Sequence, residues 1–186
     1  METITVNDLM VPLEEYATVS EDATLFEAVS ALEKSQEDLD RTRYKYLHRA
    51  ILVYDKNNKI VGKISQLDVL RALEPKYEQM VDTGRLSHVG FSPQFLKSML
   101  ERYSLFSKPL MDICRKAVKV RVKDFMYTPT EGEYIEENTS LDAAIHQLVM
   151  GARQSLLVTR EEDIVGILRL TDVFGEVFQL MKSSEL

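Results

Sequence analysis

Ser65 and Asp68 stand three residues apart directly after an apolar run, and a second acid, Asp172, follows a similar run that carries Arg169. A carboxylate in the first turn of a helix is favoured by the macrodipole, stays ionised and offers acceptors to both hydroxyls of a vicinal diol. Backbone N–H groups at the same helix start are free to meet a phosphate. Neighbouring runs rich in Ile, Leu and Val supply an apolar slot for a purine, which needs no charge to be held. Ser-x-x-Asp is also a helix-capping arrangement. The two uses are compatible, because a capped helix start can present its outward carboxylate oxygen to a sugar.

Other chemistries find little support. Cys114 is the single cysteine, so an intramolecular disulfide framework and a cysteine-based zinc site are excluded. His48, His88 and His146 show no HxxxH-type spacing, which argues against a histidine-built metal centre. A glycine-rich phosphate loop and a Ser-His-Asp setting are both missing, and no catalytic residues are assigned. With 23 Lys plus Arg against 30 Asp plus Glu, the formal charge of −7 has the wrong sign for a chain held mainly by nucleic-acid phosphates. No apolar run approaches the roughly 20 residues that span a bilayer, and the N-terminus lacks a basic region leading into an apolar one. The expectation is a soluble cytoplasmic protein with neither a nucleic-acid nor a membrane partner.

The elements that position these residues occur twice. Val6-Asn7-Asp8-Leu9-Met10 returns as Val122-Lys123-Asp124-Phe125-Met126, and Leu25, Ala28 and Leu32 fall on Leu141, Ala144 and Leu148. Val19 falls on Ile135, Ile51-Leu52-Val53 on Leu156-Leu157-Val158, Ile60-Val61-Gly62 on Ile164-Val165-Gly166, and Asp68-Val69 on Asp172-Val173. Each copy opens with an extended piece, then polar residues with capping chemistry, Ser20 and Asp22 or Asn138 and Thr139. A helix with i, i+3, i+4, i+7 apolar spacing follows. Next come two apolar runs, Ala50 to Tyr54 and Lys59 to Ile64 in the first copy, turning through Asp55-Lys56-Asn57-Asn58, where Asn tolerates positive φ. The second copy turns through Arg160-Glu161-Glu162-Asp163. Asp68 to Leu73, and Asp172 to Met181, close the units as helices. Each unit alone leaves one sheet face uncovered, and packing the two together buries it. The predicted class is α+β: two βαββα units related by an approximate two-fold, with paired clefts between them.

On these residues the chain resembles the tandem cystathionine-beta-synthase (CBS) domain pair, or Bateman module. The resemblance rests on Val-x-Asp-Leu/Phe-Met ahead of each unit and on the stretches Ile51 through Asp68 and Leu156 through Asp172, and covers about two thirds of the chain. It implies a regulatory, non-catalytic module that binds an adenosine-containing ligand, such as AMP, ADP or ATP, in clefts between the units, with no obligatory cofactor. By the family pattern, Ser65 and Asp68 contact the ribose or phosphate, and Val19 with Ala50 and Ile51 flank the adenine. The matching positions in the second copy are Ile135, Ser155 and Leu156, with Asp172 as the acid.

The chain departs from that pattern in three places. Arg169 stands where the family usually has Ser or Thr, so the clefts are unequal. Its planar fork of donors suits a phosphate, and equally it could pair with Asp172 and fill the cleft itself. Arg49 and Arg153, just before the hairpins, could add positive potential. The connection from about Glu74 to Lys119 is long where the family has a short linker, and its residues predict amphipathic helices. One starts at Ser92-Pro93 and carries Phe95, Leu96, Met99, Leu100 and Tyr103. The other starts at Ser107-Lys108-Pro109 and carries Leu110, Ile113, Cys114 and Ala117. Packing within this chain is expected of these helices, with a face for a second subunit or partner as the alternative, and Cys114 reads as core filling. Finally, Ser35 to Tyr46 reads as a solvated extension of the first unit's helix.

The organisation expected is a first CBS unit over 1–73, a helical insertion over 74–119 and a second CBS unit over 120–186. After Met181 only Lys182 to Leu186 remain, so output is expected to pass to a separate, unidentified effector protein. A homodimer is expected through the helices. The alternative is a ligand-free structural or protein-interaction module that dimerises through its helices.

Overall fold

The computed structural model describes residues 3–80 and 90–184. Residues 81–89 of the insertion, including His88, lie outside the described residues. α1 (Val6–Leu9) and β1 (Val11–Pro12) lead into a first unit of β2 (Thr18–Ser20), α2 (Leu25–Glu37), β3 (Ala50–Tyr54), β4 (Ile60–Ser65) and α3 (Gln66–Ala72). The insertion carries α4 (Lys76–Gln79), α5 (Pro93–Arg102) and α6 (Leu110–Ala117). The second unit is β5 (Tyr134–Glu136), α7 (Leu141–Gly151), β6 (Ser155–Arg160), β7 (Asp163–Arg169) and α8 (Leu170–Ser184). The class is α+β, and both units run βαββα as the duplicated pattern predicts.

In each unit a parallel strand pair, β2 with β3 or β5 with β6, is followed by an antiparallel hairpin, β3 with β4 or β6 with β7. Asn58 and Glu161 take left-handed φ values of 60° and 57° in the hairpin turns. Asn bears this geometry at little cost, and Glu bears it less readily. The Asp55 carboxylate accepts from the N–H groups of Asn57 and Lys59, which closes the first turn. The cap of α2 is Thr24, joined reciprocally to Glu27, rather than Ser20 or Asp22. The N-cap position of α7 is held by Ser140, without a side-chain capping bond, rather than by Asn138 or Thr139. The polar clusters marked the helix starts, but several candidate residues in a row left the cap itself undetermined.

The segment ahead of each unit is built into the other one. Val122 lies in the first unit's core with Val19, Ala28, Ile51 and Val53, and Val6 lies in the second with Ile135, Ala144, Leu156 and Val158. The backbone repeats the exchange. Val122 N–H donates to the Ala23 carbonyl at 2.8 Å, and Val6 N–H to the Thr139 carbonyl at 2.9 Å. Farther along, Tyr127 bridges Lys63 on β4, and β1 pairs with β7. The crossings are close, since a Cβ on Gly62 would stand 2.6 Å from Met126 Sδ, and one on Gly166 2.6 Å from the Val11 carbonyl oxygen, where the backbone itself leaves room for glycine alone.

β3 and β6 alternate strictly. Ile51 and Val53 face the helices of their unit, whereas Leu52 points to the layer between the two sheets, where it meets Leu157, Val11, Tyr16 and Ile167. Two expectations are corrected here. The stretch from Ser35 to Tyr46 does not extend the helix beyond Glu37. It folds back, burying Leu39 and Tyr44 in the inter-sheet layer, while Tyr44 Oη donates to Glu15 at 2.6 Å. Its many charges mask two apolar anchors. The insertion is helical as predicted and Ser92 caps α5, yet no residue of α5 is buried and Phe95, Leu96 and Leu100 are exposed. Its apolar face is therefore not packed within the described residues, and Cys114 on α6 is half-buried rather than core.

The crossings make unequal demands on substitution. Gly166→Ala is expected to lower the free energy of unfolding by roughly 1–3 kcal/mol, because a backbone carbonyl must give way. Gly62→Ala costs less, since the nearest atom belongs to a flexible methionine. Urea denaturation of both variants measures this, and equal losses contradict the ordering.

Candidate functional site

Between the units lies a cavity of about 430 Å³. The first unit lines it with Arg49, Ala50, Lys63, Ser65 and Asp68. The second side supplies Tyr127, Glu133, Arg153, Ser155, Arg169 and Thr171. Hairpin register explains the selection: Ala50 pairs with Ser65 and Ser155 with Arg169, so the start of one strand and the end of the next meet at the cleft in each unit. Val19, Ile51, Ile135 and Leu156 do not line the cavity. Ile51 and Leu156 sit one step from the wall residues Ala50 and Ser155 on period-two strands, Val19 and Ile135 lie on the neighbouring strands β2 and β5, and all four belong to the helix-facing cores.

At α3 the capping reading of Ser65-x-x-Asp68 is met in full. Asp68 Oδ2 accepts from Ser65 N–H at 2.8 Å and from Ser65 Oγ at 2.6 Å, and Asp68 N–H donates back to Ser65 Oγ at 3.2 Å. That is a complete capping box. Among the described residues the other oxygen, Oδ1, has only the half-exposed Arg71 guanidinium at 3.4 Å. Asp68 therefore holds its helix with one oxygen and keeps acceptor capacity on the other, at the edge of the cavity.

Across from it, Glu133 is buried and joins the two units. Its carboxylate accepts from Lys63 Nζ at 2.7 Å, Tyr127 Oη at 2.6 Å and Thr130 N–H at 3.0 Å. Burial pushes the Glu133 carboxyl up, and these donors more than reverse it, holding it at about 2. Lys63, Tyr127 and Glu133 escaped sequence reasoning. A signal existed for Lys63, a charge inside an otherwise apolar strand where the second copy has Ile167.

The equivalent position in the second unit is closed. Arg169 Nε and Nη2 donate to the Asp172 carboxylate at 2.5 and 2.7 Å, and Nη1 reaches the Tyr46 carbonyl at 3.0 Å and His48 Nδ1 at 2.9 Å. Its guanidinium also lies 5.5 Å from the centre of the Tyr44 ring. Of the two uses open to Arg169, the structure displays the internal pair. Both Asp172 oxygens are engaged, and Asp172 is not part of the cavity wall. The closure depends on the stretch 38–49 between α2 and β3, whose counterpart between α7 and β6 spans only 152–154. His48, fully buried, packs against Tyr16 in a tilted arrangement with ring centres 4.5 Å apart. Since His48 Nδ1 accepts from Arg169, the proton resides on Nε2, which donates to the Glu15 carbonyl at 3.1 Å. Burial and then the adjacent Arg169 charge lower the His48 pKa to about 4.

The CBS domain model matches residues 6–75 and 122–179, and the chain belongs to the CBS domain family as a tandem pair. Solved structures agree with the fold. CBSX2 from Arabidopsis thaliana superposes with a TM-score of 0.60 at 19% identity, covering 97% of this chain and 99% of that one. A structure of CBSX2 in complex with AMP gives 0.58 at 19% identity, over 94% and 97% of the two chains. A putative acetoin utilization protein (AcuB) from Vibrio cholerae gives 0.59 at 17% identity, over 99% and 97%. No curated protein sequence matches the chain. No helix among the described residues is long and apolar enough to cross a membrane.

The two buried groups titrate in separate windows. Because the folded pKa of His48 lies below its unfolded value near 6.5, its contribution is complete above pH 6.5 and falls by roughly 1 kcal/mol per pH unit toward about 4. Glu133 contributes fully above about pH 4.5, and its contribution is lost as pH falls toward about 2. Urea unfolding at pH 7, 6 and 5 should show the His48 slope in the wild type and a flatter one in His48→Gln; parallel slopes would refute the assignment.

Proposed function

We propose that this chain is a regulatory CBS pair that takes one adenosine-containing ligand of the AMP, ADP or ATP class in the open cleft, with Asp68 Oδ1 accepting from the ribose hydroxyls. The observation that carries this reading is a capped carboxylate whose second oxygen has one long contact, to the half-exposed Arg71 at 3.4 Å, at the edge of a cavity of about 430 Å³. The solved complex of CBSX2 with AMP supports it, as a fold relative that holds such a ligand. Ala50 and Ser65 line the same cavity from the first unit and Ser155 from the second. Val19, Ile51, Ile135 and Leu156 act from behind by packing the strands that carry these three. Arg169 and Asp172 neutralise each other, so the second cleft stays empty of ligand.

The proposed organisation is a CBS unit over 1–73, a helical insertion over 74–119 and a second unit over 120–186. The reading includes no catalysis, no obligatory cofactor and no nucleic-acid or membrane partner, and it places the protein in the cytoplasm. Occupancy is transmitted to a separate effector protein by a homodimer. Exposed apolar residues on α3, Leu67 and Leu70, and on α8, Phe174, Phe178 and Met181, support association through helices. A second reading, an interaction module without ligand, draws on the same exposed faces and on α5.

Calorimetric titration with AMP, ADP, ATP and S-adenosylmethionine tests the two against each other. The expected result is one nucleotide per chain. Asp68→Ala is expected to weaken binding on the order of 10–100-fold, the cost of a charged hydrogen bond, and to lose about 1 kcal/mol of stability with the cap. Asp172→Ala leaves affinity unchanged but destabilises the fold by stranding Arg169. An absence of binding by any adenosyl compound selects the interaction module.

A further inference from the structure

Where the insertion meets the first unit lies another cavity, of about 330 Å³, which shares no lining residue with the cleft between the units. Much of its lining is apolar: Ala72 and Leu73 at the end of α3, Pro75, Ile113 and Ala117 on α6, and Val120. Three lysines line the same space, Lys76, Lys108 and Lys116, against one acid, Glu74. Glu74 and Lys76 are already committed. The buried Glu74 carboxylate accepts from Phe106 N–H at 2.8 Å and Lys76 N–H at 3.4 Å, and Lys76 Nζ donates to the carbonyls of Ser104 at 2.7 Å and Tyr103 at 3.3 Å. Lys108 and Lys116 are exposed, and among the described residues neither has an acidic partner within 4 Å. They come together instead. Hydrogen bonding to Lys108 and then the Lys108 charge lower the Lys116 pKa, against the opposing pull of Asp112, which is shared with Arg115 at 3.3 Å. Two like charges side by side in one concave wall repel each other and attract a counter-ion. An inorganic ion leaves the apolar lining against water, whereas an anion with a hydrocarbon body covers it.

We propose that this cavity is a binding site for an organic anion, a carboxylate on a hydrocarbon body, with the headgroup held between Lys108 and Lys116 and the body on the apolar lining. Each lysine carries its charge as a compact head on a flexible stem, so the pair closes on a carboxylate without the planar fork an arginine would impose. The site goes beyond the nucleotide reading and stands whether or not the cleft takes a nucleotide. It is joined to that cleft by one short helix, since α3 runs from Ser65 and Asp68 at the cleft to Ala72 at this cavity.

The test is amide NMR titration of the full chain with octanoate, octanol and acetate. It compares the wild type, a Lys108→Gln/Lys116→Gln double variant and, as a control, Lys97→Gln on the exposed face of α5, with thermal melts confirming folded variants. Octanoate should shift amides over 72–76 and 107–120 and bind about fivefold or more tighter than octanol, with acetate no tighter than octanol. The double variant should bring octanoate to the octanol level, and Lys97→Gln should leave it unchanged. If the double variant does not fold, Lys108→Gln and Lys116→Gln are read singly, each expected to weaken octanoate about twofold. Octanoate bound no tighter than octanol, or equally by the wild type and the lysine variants, overturns the anion site. Shifts confined to other surfaces, or no shifts at all, overturn it as well.

Discussion

Val122 completes the core of the first unit and Val6 that of the second, and the backbone on either side of each valine is hydrogen-bonded to the unit it enters. Burying one such side chain contributes on the order of 1.5–3 kcal/mol, and removing either segment would also expose the strand edge it covers. The units therefore cannot separate without each losing part of its own interior. This reciprocal exchange fixes the distance between the sheets and thereby the cleft. The glycines at the crossings, Gly62 and Gly166, follow from it, because the incoming segment passes close to each. The Lys63–Glu133 pair, joining residues from the two units across the cleft wall, is permitted only because that separation is held constant.

Within this near-symmetric frame the chemistry is unequal. Each second hairpin strand carries one cation on the cleft side, Lys63 in the first unit and Arg169 in the second, two positions apart in the repeat. Lys63 finds its acid in the other unit, and Asp68 is left with its cap and a long contact to the half-exposed Arg71. Arg169 finds its acid one helical turn away, at Asp172, and its remaining donors are met by Tyr46 and His48. A buried charge must be fully partnered to be tolerated. For Arg169 the stretch 38–49 supplies what Asp172 alone does not. Closure of the second cleft and the neutral state of His48 are thus one arrangement seen from two sides.

Much of this was legible in the chain. The repeated Val-x-Asp-x-Met, the paired apolar runs and the helical spacings determined two βαββα units in a fixed order, because local periodicity states which face of each element is apolar. Ser65 and Asp68 could be placed at a helix start for the same reason, and Ala50 and Ser155 at the start of a strand. Ile51 and Leu156 stand one residue past the wall residues Ala50 and Ser155, and because a strand alternates faces at every residue that single position decides wall or core, whereas Val19 and Ile135 lie on the neighbouring strands and face the same cores. Leu39 and Tyr44 were hidden in a charged stretch that reads as solvent-facing.

The sequence by itself thus determined the duplication, the order of elements and the two carboxylates at helix starts, all consequences of contacts between near neighbours. Only the tertiary structure decided that each leading segment serves the opposite unit, that Glu133 lies against Lys63, and that Arg169 meets His48 and Tyr46. These pairs are 70 to 123 residues apart in the chain. Their partners are selected by how two sheets pack, and no local spacing encodes that choice.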